Sequence, residues 1–169
     1  HRTIGRTIPQ GWKYQVKNDL VLNYRINYEK KLLGWKNHFL LNGLGEAKVG
    51  TLNTYATTGA NIMIGTFKNP YGSKSFHLTN GKKLTYYLFA QSGINFIGYD
   101  AALQGGLLNH KSVYTIPANE VERITFQQTA GFAFNISKVY ISYFKSALTK
   151  EFRTGKRHMW GGIRIGVAL

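Results

Sequence analysis

The sequence predicts an all-β protein, an antiparallel transmembrane β-barrel, on three observations. Long stretches alternate apolar and polar residues with a period of two. The polar series is rich in Asn, Thr, Gln and Gly, and cations gather near the ends of the alternating stretches. A strand points successive side chains to opposite faces, so each stretch reads as a strand with one greasy and one polar side. Strands of soluble domains average about 5–6 residues, whereas membrane-crossing strands need about 9–11, apolar outside and polar or glycine-rich inside.

The first strand runs from Leu20. Leu20, Leu22, Tyr24, Ile26 and Tyr28 share one face and Val21, Asn23, Arg25, Asn27 and Glu29 the other. Weaker alternation predicts strands over 38–51, 55–67, 82–90 and 93–104. Over 122–136 the pattern is strong again. Ile124, Phe126, Ala130, Phe132 and Phe134 share a face, interrupted by Gln128, against Arg123, Thr125, Gln127, Thr129, Gly131 and Asn135. A strand over 138–147 follows. The last covers 158–169, with Met159, Ile163, Ile165, Val167 and Leu169 opposing Trp160, Gly162, Arg164 and Gly166. Turn signals separate these stretches at Lys68-Asn69-Pro70-Tyr71-Gly72, Asn80-Gly81, Gly105-Gly106 and the tight Asn135-Ile136-Ser137-Lys138 link. The expectation is seven or eight strands in a single domain, 1–169.

Composition narrows the function. Of 169 residues 43% are hydrophobic, which excludes disorder, and the absence of Cys excludes disulfides and thiol chemistry. Lys and Arg number 22 against 7 Asp and Glu, a net +15 that favours polyanionic partners. By itself that charge suits nucleic acid. Its placement in loops and at strand ends (Lys30, Lys31, Lys36, Lys68, Lys74, Lys82, Lys83, Lys150, Arg153, Lys156, Arg157) points instead to the phosphates of surrounding lipid, and no nucleic-acid partner is expected. On the apolar face such charges would cost about 2–4 kcal/mol at the bilayer midplane. The histidines, His1, His38, His77, His110 and His158, lack the spacing of a metal site. His38 and His110, at strand ends, could reach over a barrel mouth. No Gly-x-Ser-x-Gly elbow supports a serine hydrolase.

Several segments resemble a known family. "GWKYQVKNDLVLNYRINYEKKLL", "GEAKVGTLNTYATTGANIMIG", "YLFAQSGINFIGYDAALQGGLL" and "VYISYFKSALTKEF" occur in the order of the outer-membrane lipid A 3'-O-deacylase family (LpxR-type). No single motif is highly specific; the ordered set carries the resemblance. It implies a Gram-negative bacterial outer membrane, lipid and lipopolysaccharide as partners, and calcium-dependent hydrolysis of an acyl ester of lipid A. The family's opening Asn-Asp strand, which helps to hold the calcium, has no match here, so the ligands would lie mostly outside this chain. The chain would then form the C-terminal part of a barrel of roughly twelve strands; a self-closing barrel of about eight is the alternative.

The resemblance also assigns a candidate site. The family's general base is the His of a Gln-x-His-Asn motif, and here Gln15, Lys17, Asn18 and Asp19 occupy that stretch. Imidazole titrates near neutrality, whereas Lys has an unperturbed pKa of about 10.4 and is an ammonium unless buried. Lys17 leaves two readings open: a site with altered chemistry, or a polar strand entrance. Lys150, Arg153, Lys156 and Arg157 are the expected lipid-phosphate binders. The functions that follow are lipid A binding with ester hydrolysis or, alternatively, a non-catalytic barrel serving as a subunit of a larger membrane complex with other outer-membrane proteins.

Overall fold

A computed structural model describes residues 20–67, 84–107 and 115–167. Seven strands form one antiparallel sheet in strict sequence order: β1 (Asn23–Trp35), β2 (Phe39–Gly50), β3 (Asn53–Thr66), β4 (Thr85–Asp100), β5 (Ile124–Ile136), β6 (Val139–Leu148) and β7 (His158–Val167). The only helix among the described residues is α1 (Ala101–Gln104). The strands run 10–16 residues, the length that crosses a membrane rather than the length of a sandwich strand. No helix of the described chain is long and apolar enough to cross.

Three of the six connections are turns of two or three residues, which force their strands to be antiparallel neighbours. Ser137-Lys138 joins β5 to β6 in two residues, with Ser137 at φ 55. Lys36-Asn37-His38 joins β1 to β2, with Lys36 at φ 48. These two turns mark one rim. The opposite rim carries Thr51-Leu52, α1 and the 149–157 connection, and is called the α1 rim below.

The register confirms the alternation in β1, β5 and β7. Tyr24, Ile26 and Tyr28 pair with Val49, Ala47 and Gly45 on the outward face, while Asn23, Arg25, Asn27 and Glu29 face inward with β2's Gly50, Lys48, Glu46 and Leu44. Phe132 and Phe134 lie outward beside Tyr143 and Ile141, which in turn meet Ile163 and Ile165. The outward residues stay open: Tyr24 is 69% exposed and Ile165 71%, whereas inward Asn42 and Thr125 are 1% exposed. A surface greasy outside and polar inside has its solvent reversed, as a lipid-embedded wall requires.

One expectation fails. The stretches 82–90 and 93–104 meet in a single strand, β4 (Thr85–Asp100), continuous through Gln91-Ser92-Gly93 because both flanking strands pair with it there without a break. Ser92 falls on the outward face between Ala60 and Gln128, and this polar step makes one strand read as two. β4 ends earlier than its pattern does. The Asp100 carboxylate accepts a hydrogen bond from the Ala102 amide at 2.8 Å, so 101–104 turn into α1, and Gly105 at φ 88 stops it.

Inside, two aromatic side chains lie across glycines of the next strand. A Cβ on Gly131 would stand 2.7 Å from the Phe89 ring, and one on Gly162 would stand 2.9 Å from Phe144. The Arg164 guanidinium stacks on Phe144 at 4.6 Å from the ring centroid. Phe67, 4% exposed, meets Tyr87 edge-on at 5.8 Å. The inner face towards the short-turn rim is therefore packed with rings, and the half towards the α1 rim is polar.

Candidate binding site

The polar half is built from cross-strand pairs. Asn95 sits between Thr57 and Thr125 in register, taking a hydrogen bond from Thr57 Oγ1 at 2.8 Å and donating to Thr125 Oγ1 at 3.1 Å. Thr129 and Ser146 share a hydrogen bond of 2.7 Å. Arg25 Nε lies 3.4 Å from Glu46 Oε1, which also accepts the Tyr55 hydroxyl. Asn42 donates to Glu29 at 2.9 Å and to Asn61 at 3.1 Å, leaving its buried Oδ1 without a partner. Alternation alone brings these groups together, since every second residue of six neighbouring strands, β1 to β6, faces the same concavity.

Two adjoining cavities, about 340 and 390 Å³, occupy this concavity and share Glu46, Thr57, Gln91 and Gly93. The first extends to Asp100 and Glu151 at the α1 rim. Among the described residues, no Lys or Arg lines either one. Among the described residues no three His, Asp or Glu side chains converge as a metal centre, so the described residues do not fit the calcium that the family resemblance implies.

The expected phosphate binders lie together on the α1 rim, in the 149–157 connection. They are not equivalent. Lys150 Nζ is held by Glu122 Oε1 at 2.8 Å and the Arg153 carbonyl at 3.3 Å. Arg157 lies against Met159 Sδ at 3.2 Å. The backbone of Arg153 joins Glu120, and Val121 bridges Phe152, so this connection is stitched to the segment before β5. Arg153, Lys156 and Arg157 are exposed. His38 does not reach over a mouth: its Nδ1 is fixed 2.9 Å from the Gly65 carbonyl oxygen. His110 lies outside the described residues, as do Gln15, Lys17, Asn18 and Asp19.

What sequence reading missed is the acidic lining of these two cavities. With 22 basic residues against 7 acidic, overall charge conceals that Glu29, Glu46, Asp100 and Glu151 border the cavities. The inward parity of Glu29 and Glu46 was readable. Asp100 and Glu151 needed the rim's tertiary arrangement.

The family model described as "Outer membrane protein LpxR" matches residues 1–169, the whole chain. The chain belongs to the LpxR family. It is accordingly an outer-membrane protein with the antiparallel β-barrel fold. Among solved structures it is similar to LpxR from Salmonella typhimurium, with a TM-score of 0.73 and 21% identity over 99% of this chain. The chain spans 59% of that structure's length. No curated protein matches it.

Proposed function

We propose that this LpxR-family protein binds lipid A or lipopolysaccharide in the outer membrane and does not cleave its acyl esters. Lys17 carries this reading. The surrounding motif is kept in Gln15 and Asn18, with Asp19 where the family has Glu, but the position of the family's general base holds Lys. An ammonium has no lone pair with which to take a proton from water, and at a pKa of about 10.4 almost every Lys near neutrality is an ammonium. Binding needs no base. The exposed cations of the α1 rim, Arg153, Lys156 and Arg157, supply charge complementary to a phosphorylated glycolipid.

The seven strands belong, on this reading, to a larger closed barrel. The described sheet leaves β1 and β7 at its edges, and β1 is exposed along all 13 of its residues. A long free edge in lipid leaves backbone groups unpaired, which further strands would satisfy. That the chain spans 59% of the solved LpxR supports the same view.

The test is substitution at one position. Full-length wild type and Lys17→His are incubated with purified lipid A in detergent, and released fatty acid is measured. Wild type is expected to bind without release. Lys17→His, in a protein that also carries the family's Asn-Asp strand, is expected to gain ester hydrolysis by part of the roughly 10²–10⁴-fold that general bases contribute. Release by wild type that Lys17→Ala leaves unchanged would overturn the reading.

A further inference from the structure

We propose that the cavity at the α1 rim is a saccharide site that takes neutral or ammonium-bearing rings and turns anions away. The proposal is independent of the lipid A reading. At about 340 Å³ the cavity lies at the small end of ordinary ligand sites, about 300–1,000 Å³. Its wall is made of carboxylates, amides and hydroxyls, with Glu46, Asp100, Glu151, Asn53, Asn95 and Gln127 the principal groups. Such groups match the paired donors and acceptors of a sugar ring.

Three features go beyond polarity. First, Asn95 is fixed by Thr57 and Thr125, so its amide is oriented before any ligand arrives. Second, Asn53 Oδ1 borders the cavity as a buried acceptor with no partner, a vacancy that a hydroxyl or ammonium proton would fill. Third, in a chain of net +15, the described residues that line this cavity include three carboxylates and no Lys or Arg. Each carboxylate has a partner: Arg25 and Tyr55 for Glu46, the Ala102 amide for Asp100, and His158 at 3.8 Å for Glu151. A carboxylate offers about four lone-pair sites, so each keeps acceptor capacity for a ligand. A phosphate here would face three carboxylates with no Lys or Arg among the described lining residues, and like-charge juxtaposition selects against it.

The experiment uses full-length protein in lipid nanodiscs, titrated with glucose, glucosamine and glucosamine 6-phosphate and followed by saturation-transfer NMR. Glucosamine is expected to bind most tightly, with glucose a few-fold weaker and glucosamine 6-phosphate weaker by about tenfold or more. Glu151→Gln and Asp100→Asn are expected to erase the advantage of glucosamine over glucose while keeping glucose binding. Asn95→Leu is expected to abolish binding of both; Gln127→Ala, which disturbs no network hydrogen bond described above, repeats the test should Asn95→Leu fail to fold. The proposal is overturned if glucosamine 6-phosphate binds as well as glucosamine, if no sugar saturates, or if the folded variants titrate like wild type.

Discussion

Replacing Lys145 by Leu is expected to stabilise the protein in a bilayer. Lys145 is exposed on the outward face, between Ala130 of β5 and Gly161 of β7, neighbours too small to cover it. It lies in β6, three residues before the strand's end at Leu148. A rise of about 3.4 Å per residue at a tilt of about 40° gives roughly 2.5 Å of depth per residue. Lys145 is then about 8 Å inside an apolar band about 25 Å tall, and its stem carries the ammonium part of the way back. Lys costs about 2–4 kcal/mol at the midplane and about 0–1 near the interface, so the penalty at this depth is about 1–2 kcal/mol. Lys145→Leu should remove it. Ile141→Lys introduces the opposite change on the same face, two residues from the strand's other end at Val139 and between Phe134 and Ile165, and should cost about 1–2 kcal/mol. Urea unfolding from lipid vesicles, followed by tryptophan fluorescence, measures both. A loss of stability in Lys145→Leu together with a neutral Ile141→Lys would mean that this face meets water or a partner, and the lipid assignment would fall.

Other substitutions probe the interior and the rim. Gly131→Ala would drive a Cβ against the Tyr143 carbonyl oxygen and to 2.7 Å from Phe89, and the same unfolding assay should show a loss of about 1–3 kcal/mol. Asn42→Leu removes the donor to Glu29 and Asn61 inside a wall where Asn42 is 1% exposed; a loss of about 1–3 kcal/mol is expected, against none if water reaches these groups freely. Neutralising Lys150, Arg153, Lys156 and Arg157 together should weaken lipopolysaccharide binding and flatten its salt dependence. Lys150→Gln alone should do least, because Glu122 already holds that ammonium. Equal effects from all four single substitutions would contradict the rim geometry.

The wall was legible in the sequence because its signal is local. Tyr24, Ile26 and Tyr28 against Arg25, Asn27 and Glu29 state the period and the two faces within a few residues, and a barrel strand needs nothing more to choose its solvent. Legibility failed where the outward face turns polar. Ser92 and Gln128 are neighbours in register, and each interrupts the apolar series of its own strand; around Ser92 the interruption reads as a strand end. The α1 rim was legible only as a cluster of cations. That Glu122 claims Lys150 depends on β5 and the 149–157 connection being brought together, which no local pattern states. The acidic cavities were hidden because the four carboxylates are scattered from Glu29 to Glu151, and cross-strand register together with the arrangement of the α1 rim unites them.

The central claim is binding without cleavage, and mass spectrometry of lipid A after incubation with the full-length wild-type protein tests it most directly. The account predicts that lipid A co-purifies with the protein and keeps every acyl chain, and that the Lys17→His protein, where it also carries the family's Asn-Asp strand, shortens the same lipid by one ester-linked acyl group. Lipid A shortened by the wild-type protein at a rate unaffected by Lys17→Ala would contradict it.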